Sequence, residues 1–324
     1  MKVGLVGLGY WGPNLARNFD ELGVLTAMCD AKEELRARYA DRFPRAHAYA
    51  DYDEMLDDDG LDAVVVATPV PTHHELARRA LTAGKSVLVE KPPAMRAVEM
   101  EELLALAQEQ ERVLMPGHLL LYHPGVQKLK ALIDAGDPGD VLCIYGNRQN
   151  LGVIRKDENA LWSLGVHDLS VILYLLDEEP EELWAHGNAF LNPGVEDVVF
   201  CYLRFPSGKI AHMHLSWLDP HKMRKITVVG KEKMAVFDDM ELERKVTLYE
   251  KGPWQPSETY GEWRTRTGDI YSPKIPNDEP LKLECRRFLE LVERGPGDFK
   301  EARDGLAVVR ALEALQRSLE TVRV

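Results

Sequence analysis

The sequence predicts an α/β + α+β chain. A doubly wound parallel sheet fills the first third, and a second domain follows with a large, mostly antiparallel sheet. Three observations carry this. Short apolar runs at residues 2–6, 24–29, 46–49, 63–67, 87–89 and 113–115 alternate with helical patterns, and such alternation builds parallel sheets. The run Ala63-Val64-Val65-Val66-Ala67 is apolar throughout, as a strand buried on both faces must be. From about residue 140 the helices thin out, and β-branched strands joined by short turns take over. The expected domains are 1–120 and 121–324.

In chain order, the first strand leads into a helix that runs through Leu22. Helical patterns over 35–43, 52–56, 75–83 and 98–108 separate the later strands. In the second domain, strands are expected at 141–147, 198–205, 210–217, 225–229, 234–237 and 245–250. Pro206-Ser207-Gly208-Lys209 makes a hairpin turn. Helices over 281–293 and 301–321 pack back on the body. Residues 252–279, rich in Pro, Gly, Ser and Thr, are expected to form an extended loop over an active site or interface.

Bulk properties exclude several classes. The chain has 324 residues, with 45% hydrophobic and 29% charged, the balance of a soluble globular protein with room for two cores. A net charge of −13 is the wrong sign for a nucleic-acid or anionic-membrane binder. No apolar stretch approaches the ~18 residues that span a bilayer. The first residues lack the long apolar segment and cleavage site of a secretory leader. Cys29, Cys143, Cys201 and Cys285 are scattered, with no CxxC and no metal-like clustering; free thiols in a reducing cytoplasm, and no metal, are expected.

The chemistry begins at Gly7-Leu8-Gly9-Tyr10-Trp11-Gly12, between the first strand and the first helix. Alone, the GxGxxG pattern is weak; with a strand before it and a helix after it, it reads as a dinucleotide-binding (Rossmann) turn. Gly7 permits the turn, Gly9 lets backbone approach a pyrophosphate, and Gly12 allows close helix–strand packing. The phosphates would sit on helix-start amides. Asp30 ends the second strand. It is placed either to bind the adenosine ribose hydroxyls, which would favour NAD over NADP, or to cap the helix that starts near Lys32. Further on, Val87-Leu88-Val89-Glu90-Lys91-Pro92-Pro93 is a strand that stops on a carboxylate, an amine and two prolines. Lys91 is either a solvated edge charge or an amine held at the rim of a cleft. Ligands of such sheets bind outside the strands' carboxyl ends, where both Thr68 and Lys91 lie, and this favours the cleft.

The ordered set "GLGYWG", "DAVVVATPVPTHHE", "GKSVLVEKPPA" and "PGHLLLYHPGV" resembles the glucose–fructose oxidoreductase, inositol dehydrogenase and MocA family, over nearly the whole chain. The resemblance implies NAD as cofactor, a sugar as substrate and Lys91 beside the nicotinamide and the substrate hydroxyl. Cofactor contacts are then expected from Gly7, Gly9, Tyr10, Trp11, Gly12, Asp30, Thr68, His73, Glu90 and Lys91. In Asn159 to Leu176, His167 and Asp168 interrupt an apolar helical pattern. His167 is either a core histidine or, by the resemblance, the second catalytic group. Many relatives carry an Asp four residues before that histidine; here the position is Ser163, which can orient an imidazole but cannot place a negative charge beside it. His118, Arg148, Asn150, Trp162, Ser163 and His167 are the candidate substrate contacts.

"RQNLGVIRKDENALWSLGVHDLS" and "SWLDPHKMRKITVVG" look most like a branch that handles nucleotide sugars, including dehydrogenases of C3 of UDP-N-acetylglucosaminuronate. Arg148, Arg155, Lys156, Lys222, Arg224 and Lys225 would suit a diphosphate or carboxylate, or else are solvated rim charges. The expected function is hydride transfer between a sugar carbinol and NAD in a cytoplasmic homodimer or homotetramer. Rival readings are a free-sugar or inositol dehydrogenase, a ketosugar reductase, a glycoside hydrolase that uses NAD transiently, and a non-catalytic NAD-binding sensor.

Overall fold

The computed structural model describes residues 1–152, 154–156, 158–256 and 263–321; of residues 253–256 and 263–264 only the backbone is described. The chain divides into two compact units. One comprises Met1–Leu119 with Glu279–Arg310, the other Leu120–Asp278 and the chain from Ala311 on. A single cut after residue 120 therefore misplaces 279–310, which return to the first unit.

The first unit runs β1 (Val3–Val6), α1 (Gly12–Glu21), β2 (Leu25–Cys29), α2 (Glu33–Ala40), β3 (His47–Tyr49), α3 (Tyr52–Leu56), β4 (Ala63–Val66), α4 (His73–Thr82), β5 (Ser86–Glu90), α5 (Ala97–Glu109) and β6 (Leu114–Gly117). The six strands form one sheet in the order β3-β2-β1-β4-β5-β6, and every pairing is parallel. All residues of β1, β4 and β6 are buried, which explains their unbroken apolar runs. Strand order reverses between β1 and β4, so the crevice at the carboxyl ends of those strands is the place where such folds bind ligands.

The second unit begins with α6 (Pro124–Asp134), β7 (Val141–Gln149), α7 (Val166–Leu176) and β8 (Glu182–Asn188). It continues with β9 (Val198–Arg204), β10 (Ile210–Ser216), β11 (Met223–Gly230), β12 (Met234–Asp238), β13 (Val246–Pro256) and β14 (Trp263–Tyr271). Its eight strands are ordered β14-β13-β12-β11-β7-β10-β9-β8, and only β7 with β10 pair in parallel. The chain closes with α8 (Pro280–Arg294), in the first unit, and α9 (Lys300–Thr321), divided between the two.

The expectation of a loop over 252–279 is corrected in part: residues 272–279 carry no helix or strand, as expected, but the earlier described residues do not form a loop. Residues 252–256 end β13 and 263–271 form β14, and the two strands pair as an antiparallel hairpin. Ladder bonds to a neighbouring strand outweigh a composition rich in turn formers. The remainder of that stretch within 257–262 lies outside the described residues. The strand β8 and the helix α6 were not anticipated; β8 is an edge strand, paired only with β9, and its Gly187 and Asn188 mask the pattern.

Helices α6 and α7 pack against one face of the eight-stranded sheet. Across the other face the register lines up Trp184, Tyr202, His212, Tyr145, Thr227, Val236 and Thr247 in one row. Ring stacking joins Trp184 to Tyr202 and Tyr145 to His212, with centroids 5.5 and 4.9 Å apart. No helix among the described residues is long and apolar enough to cross a membrane. Cys29, Cys201 and Cys285 are buried free thiols, and Cys143 is a half-buried one.

Candidate active site

The glycine turn is built by exclusion. A Cβ on Gly12 would lie 1.8 Å from the Gly7 carbonyl oxygen, so only glycine lets α1 start this close to β1. Gly7 has φ +98°, and its Cβ would meet the Ala67 carbonyl oxygen at 2.6 Å, so the turn is pressed against the end of β4. Gly9 is different: nothing lies within 4 Å of its Cβ position. The first two glycines are required by the fold, while Gly9 presents bare backbone to open space, which fits the close approach of a pyrophosphate.

Asp30 secures this turn from the neighbouring strand. Its Oδ2 accepts the Leu8 N–H at 2.8 Å and its Oδ1 the Lys32 N–H at 2.9 Å. The carboxylate thus joins the turn to the start of α2, and each oxygen keeps lone pairs for hydroxyl donors. Tyr10 is 94% exposed; the Trp11 indole donates to the Glu90 carboxylate.

His73 is buried, with Nδ1 2.8 Å from the Pro92 carbonyl oxygen and Nε2 2.8 Å from that of Thr68. It therefore ties the loop after β4 to the loop after β5. Burial, the largest influence, holds its pKa below the ordinary value. The Thr68 and Thr72 hydroxyls are hydrogen-bonded at 2.7 Å.

Glu90 and Lys91 end β5. Glu90 pairs in register with Gly117 of β6, where a Cβ would lie 3.4 Å from the Glu90 carboxyl carbon. Although the residue as a whole keeps some surface, its carboxyl is desolvated. Burial pushes the pKa up to about 7, against the opposing pull of Lys91, its N–H and the Trp11 indole. The Lys91 N–H donates to Glu90 Oε2 at 3.2 Å, and Lys91 itself is half-buried. His118 follows β6. It is 4% exposed, its Nε2 has no partner among the described residues, and burial with the Lys91 charge pushes its pKa down to about 4. A neutral imidazole in the range of Lys91's charge can donate or accept a hydrogen bond without competing for that charge. The first unit therefore gathers Glu90, Lys91 and His118 at adjacent strand ends.

In the second unit, Leu161–Gly165 forms a π turn that runs straight into α7. The regular four-residue register between Ser163 and His167 is thereby interrupted; π turns of this kind concentrate at functional sites. Ser163 is buried and His167 half-buried. Trp162 is buried with its indole donating to Gln316 Oε1 at 3.1 Å, and Asn159 donates to that oxygen and to Glu196. Asn150 is half-buried, its N–H bonded to the Ser216 carbonyl.

Arg148 is not a rim cation. It is 6% exposed, and its guanidinium meets the fully buried Asp168 at 2.6 and 2.7 Å. Gly146 makes room for that carboxylate, since a Cβ there would lie 2.8 Å from Oδ2. Asp168, adjacent to His167, was not foreseen in this role; an acid inside an apolar helical stripe, with an arginine on a nearby strand, was the signal. Arg155 pairs with Glu158, Arg224 with Asp239 and Lys225 with Asp238. Lys156 and Lys222 are exposed.

Residues 1–118 match the family model described as an oxidoreductase family with an NAD-binding Rossmann fold, and residues 126–236 match the GFO/IDH/MocA C-terminal domain. UDP-N-acetylglucosamine 3-dehydrogenase of Acidithiobacillus ferrooxidans is 27% identical over 255 residues, 78% of each chain. Its solved structure aligns with a TM-score of 0.84 at 25% identity, covering 99% of this chain and 98% of that one. Myo-inositol 2-dehydrogenase of Thermotoga maritima is 25% identical over 100% of this chain and 97% of its own. GenD2 from gentamicin A biosynthesis, solved in complex with NAD, aligns with a TM-score of 0.83 at 25% identity, covering 100% of this chain and 95% of that one.

The two kinds of glycine separate in experiment. Gly12→Ala is expected to destabilise the protein by about 1–3 kcal/mol, the usual range for overpacking. Gly9→Ala should leave the melting temperature near wild type yet weaken NAD binding at least about tenfold, or ~1.4 kcal/mol. Thermal melts and calorimetric titration check both; wild-type NAD affinity in Gly9→Ala would place the dinucleotide elsewhere.

Proposed function

Because the chain belongs to the GFO/IDH/MocA family of NAD-binding oxidoreductases, we propose that it oxidises a ring carbinol of a sugar, with C3 of a nucleotide-linked sugar or uronate as the favoured position. The observation that carries this reading is Lys91 at the carboxyl end of a central parallel strand, with the neutral, buried His118 within range of its charge. NAD, when bound, supplies the hydride acceptor. Gly9 and Asp30 hold its pyrophosphate and adenosine ribose. Lys91 donates a hydrogen bond to the reacting hydroxyl oxygen and stabilises the alkoxide that develops there. Lys91 or His167 takes the hydroxyl proton as general base.

The similarity to UDP-N-acetylglucosamine 3-dehydrogenase supports a nucleotide sugar. The full-length match to myo-inositol 2-dehydrogenase supports a second reading, a cyclitol or free sugar. Release of NADH with one substrate class and not the other decides between them. The side of the eight-stranded sheet away from α6 and α7 supports assembly. Trp184 and Phe200 are 55% and 52% exposed there, and large aromatic side chains exposed on a sheet face favour association. The occupant we propose is a second copy of this chain.

Two outcomes test these readings. Lys91→Met should fold and bind NAD while turnover falls by about 10²-fold or more, and His167→Asn should fall comparably if the imidazole is the proton acceptor. Near-normal turnover in Lys91→Met would return that lysine to an edge charge, whereas an active His167→Asn beside an inactive Lys91→Met would name the lysine as base. Light scattering at micromolar concentration should give a multiple of 36.6 kDa; a monomer would remove the sheet face from assembly.

A further inference from the structure

The apolar stripe of α8 contains one residue that does not belong to it. Leu281, Glu284, Cys285, Phe288 and Leu291 form the buried face of this helix, at the spacing of a core-facing stripe. Glu284 is 0% exposed, and neither of its carboxyl oxygens has a hydrogen-bond partner among the described residues. An ionised carboxylate in such a place is penalised severely, and in practice the group takes up a proton. The charge that acts on it is that of Glu90, itself desolvated at the end of β5. Two buried acids within electrostatic reach lose their protons in separate steps.

We propose that Glu284 is a positioning residue, a buried acid that stays protonated and so limits the Glu90–Glu284 pair to one negative charge next to Lys91. This rests on the reading of Lys91, rather than His167, as the base that takes the substrate hydroxyl proton. Among the described residues, the other groups next to the pair supply no compensating charge. Cys285 is kept as a thiol by burial and by both acids. Glu279, at the start of α8, is paired with Arg17 and the Asn18 amide. His118 is neutral and the Trp11 indole donates to Glu90. Lys91 is the cation that acts on Glu90, and Glu284 in turn feels the Glu90 charge. With one negative charge beside it, the amine can exchange its proton; if Glu284 ionises, the second negative charge holds the amine as ammonium and slows oxidation. Burial first, and then the Glu90 charge, raise the Glu284 pKa well above the ordinary value, so that ionisation belongs to the alkaline side of the pH profile.

The test combines infrared difference spectroscopy with kinetics on the NAD-loaded enzyme. The wild-type minus Glu284→Gln spectrum at pH 7 should contain a protonated-carboxyl C=O band; a carboxylate band alone would overturn the proposal. In oxidation, the wild-type rate should decline at alkaline pH, and in Glu284→Gln that decline should move up by at least one pH unit or vanish. Superimposable profiles would overturn the coupling. If the amide does not fold, Glu284→Met, which buries no polar atom, takes its place in both measurements. In Lys91→Met the C=O band should persist. A persistent band in a Lys91→Met enzyme that still turns over would reject the catalytic reading of Lys91 while leaving Glu284 protonated.

Discussion

The seating of α1 on β1 is the constraint on which the nucleotide-binding unit depends. Gly12 lets the helix begin against the Gly7 carbonyl, and Gly7 in turn lies against the end of β4. That double contact aims the first amides of α1 at the crevice where strand order reverses, the direction in which the helix dipole favours an anion. Asp30 then acts from β2, its two oxygens joining the turn to α2. A turn with room for a dinucleotide results from packing before any ligand is considered.

Burial is the second theme, because at the ends of β5 and β6 it decides which groups carry charge. Glu90 is pushed up to about 7 and His118 down to about 4, so desolvation works against the charged form of each. The second unit pairs its buried charge instead: Asp168 lies against Arg148, under a glycine that makes room for it. Removing one partner of such a pair is far more damaging than the net stability of the pair suggests, and the segment that this pair fixes is the one that carries His167.

How much of this was legible in the sequence depended on whether the determining interaction was local. The turn at Gly7 to Gly12 and the strand ending in Glu90-Lys91-Pro92 could be read because their residues are contiguous, and the alternation around them named the sheet. The β13–β14 hairpin was missed because pairing across the chain outweighed composition. The π turn at Leu161–Gly165 was missed because one extra residue per turn leaves a near-helical pattern almost intact. Arg148 looked like a ligand-binding cation because its partner lies 20 residues away. Glu284 was passed over since an acid on an amphipathic helix ordinarily faces water.

The account stands or falls on what the turn and Asp30 select. Calorimetric titration with NAD and with NADP under the same conditions measures this directly. A carboxylate that receives ribose hydroxyls repels a 2′-phosphate. NAD should therefore bind at least about tenfold more tightly, a difference of ~1.4 kcal/mol, and replacing Asp30 with Ser should narrow the gap. Equal affinities in the wild-type protein would contradict the assignment of Asp30, and with it the placement of the dinucleotide on this turn.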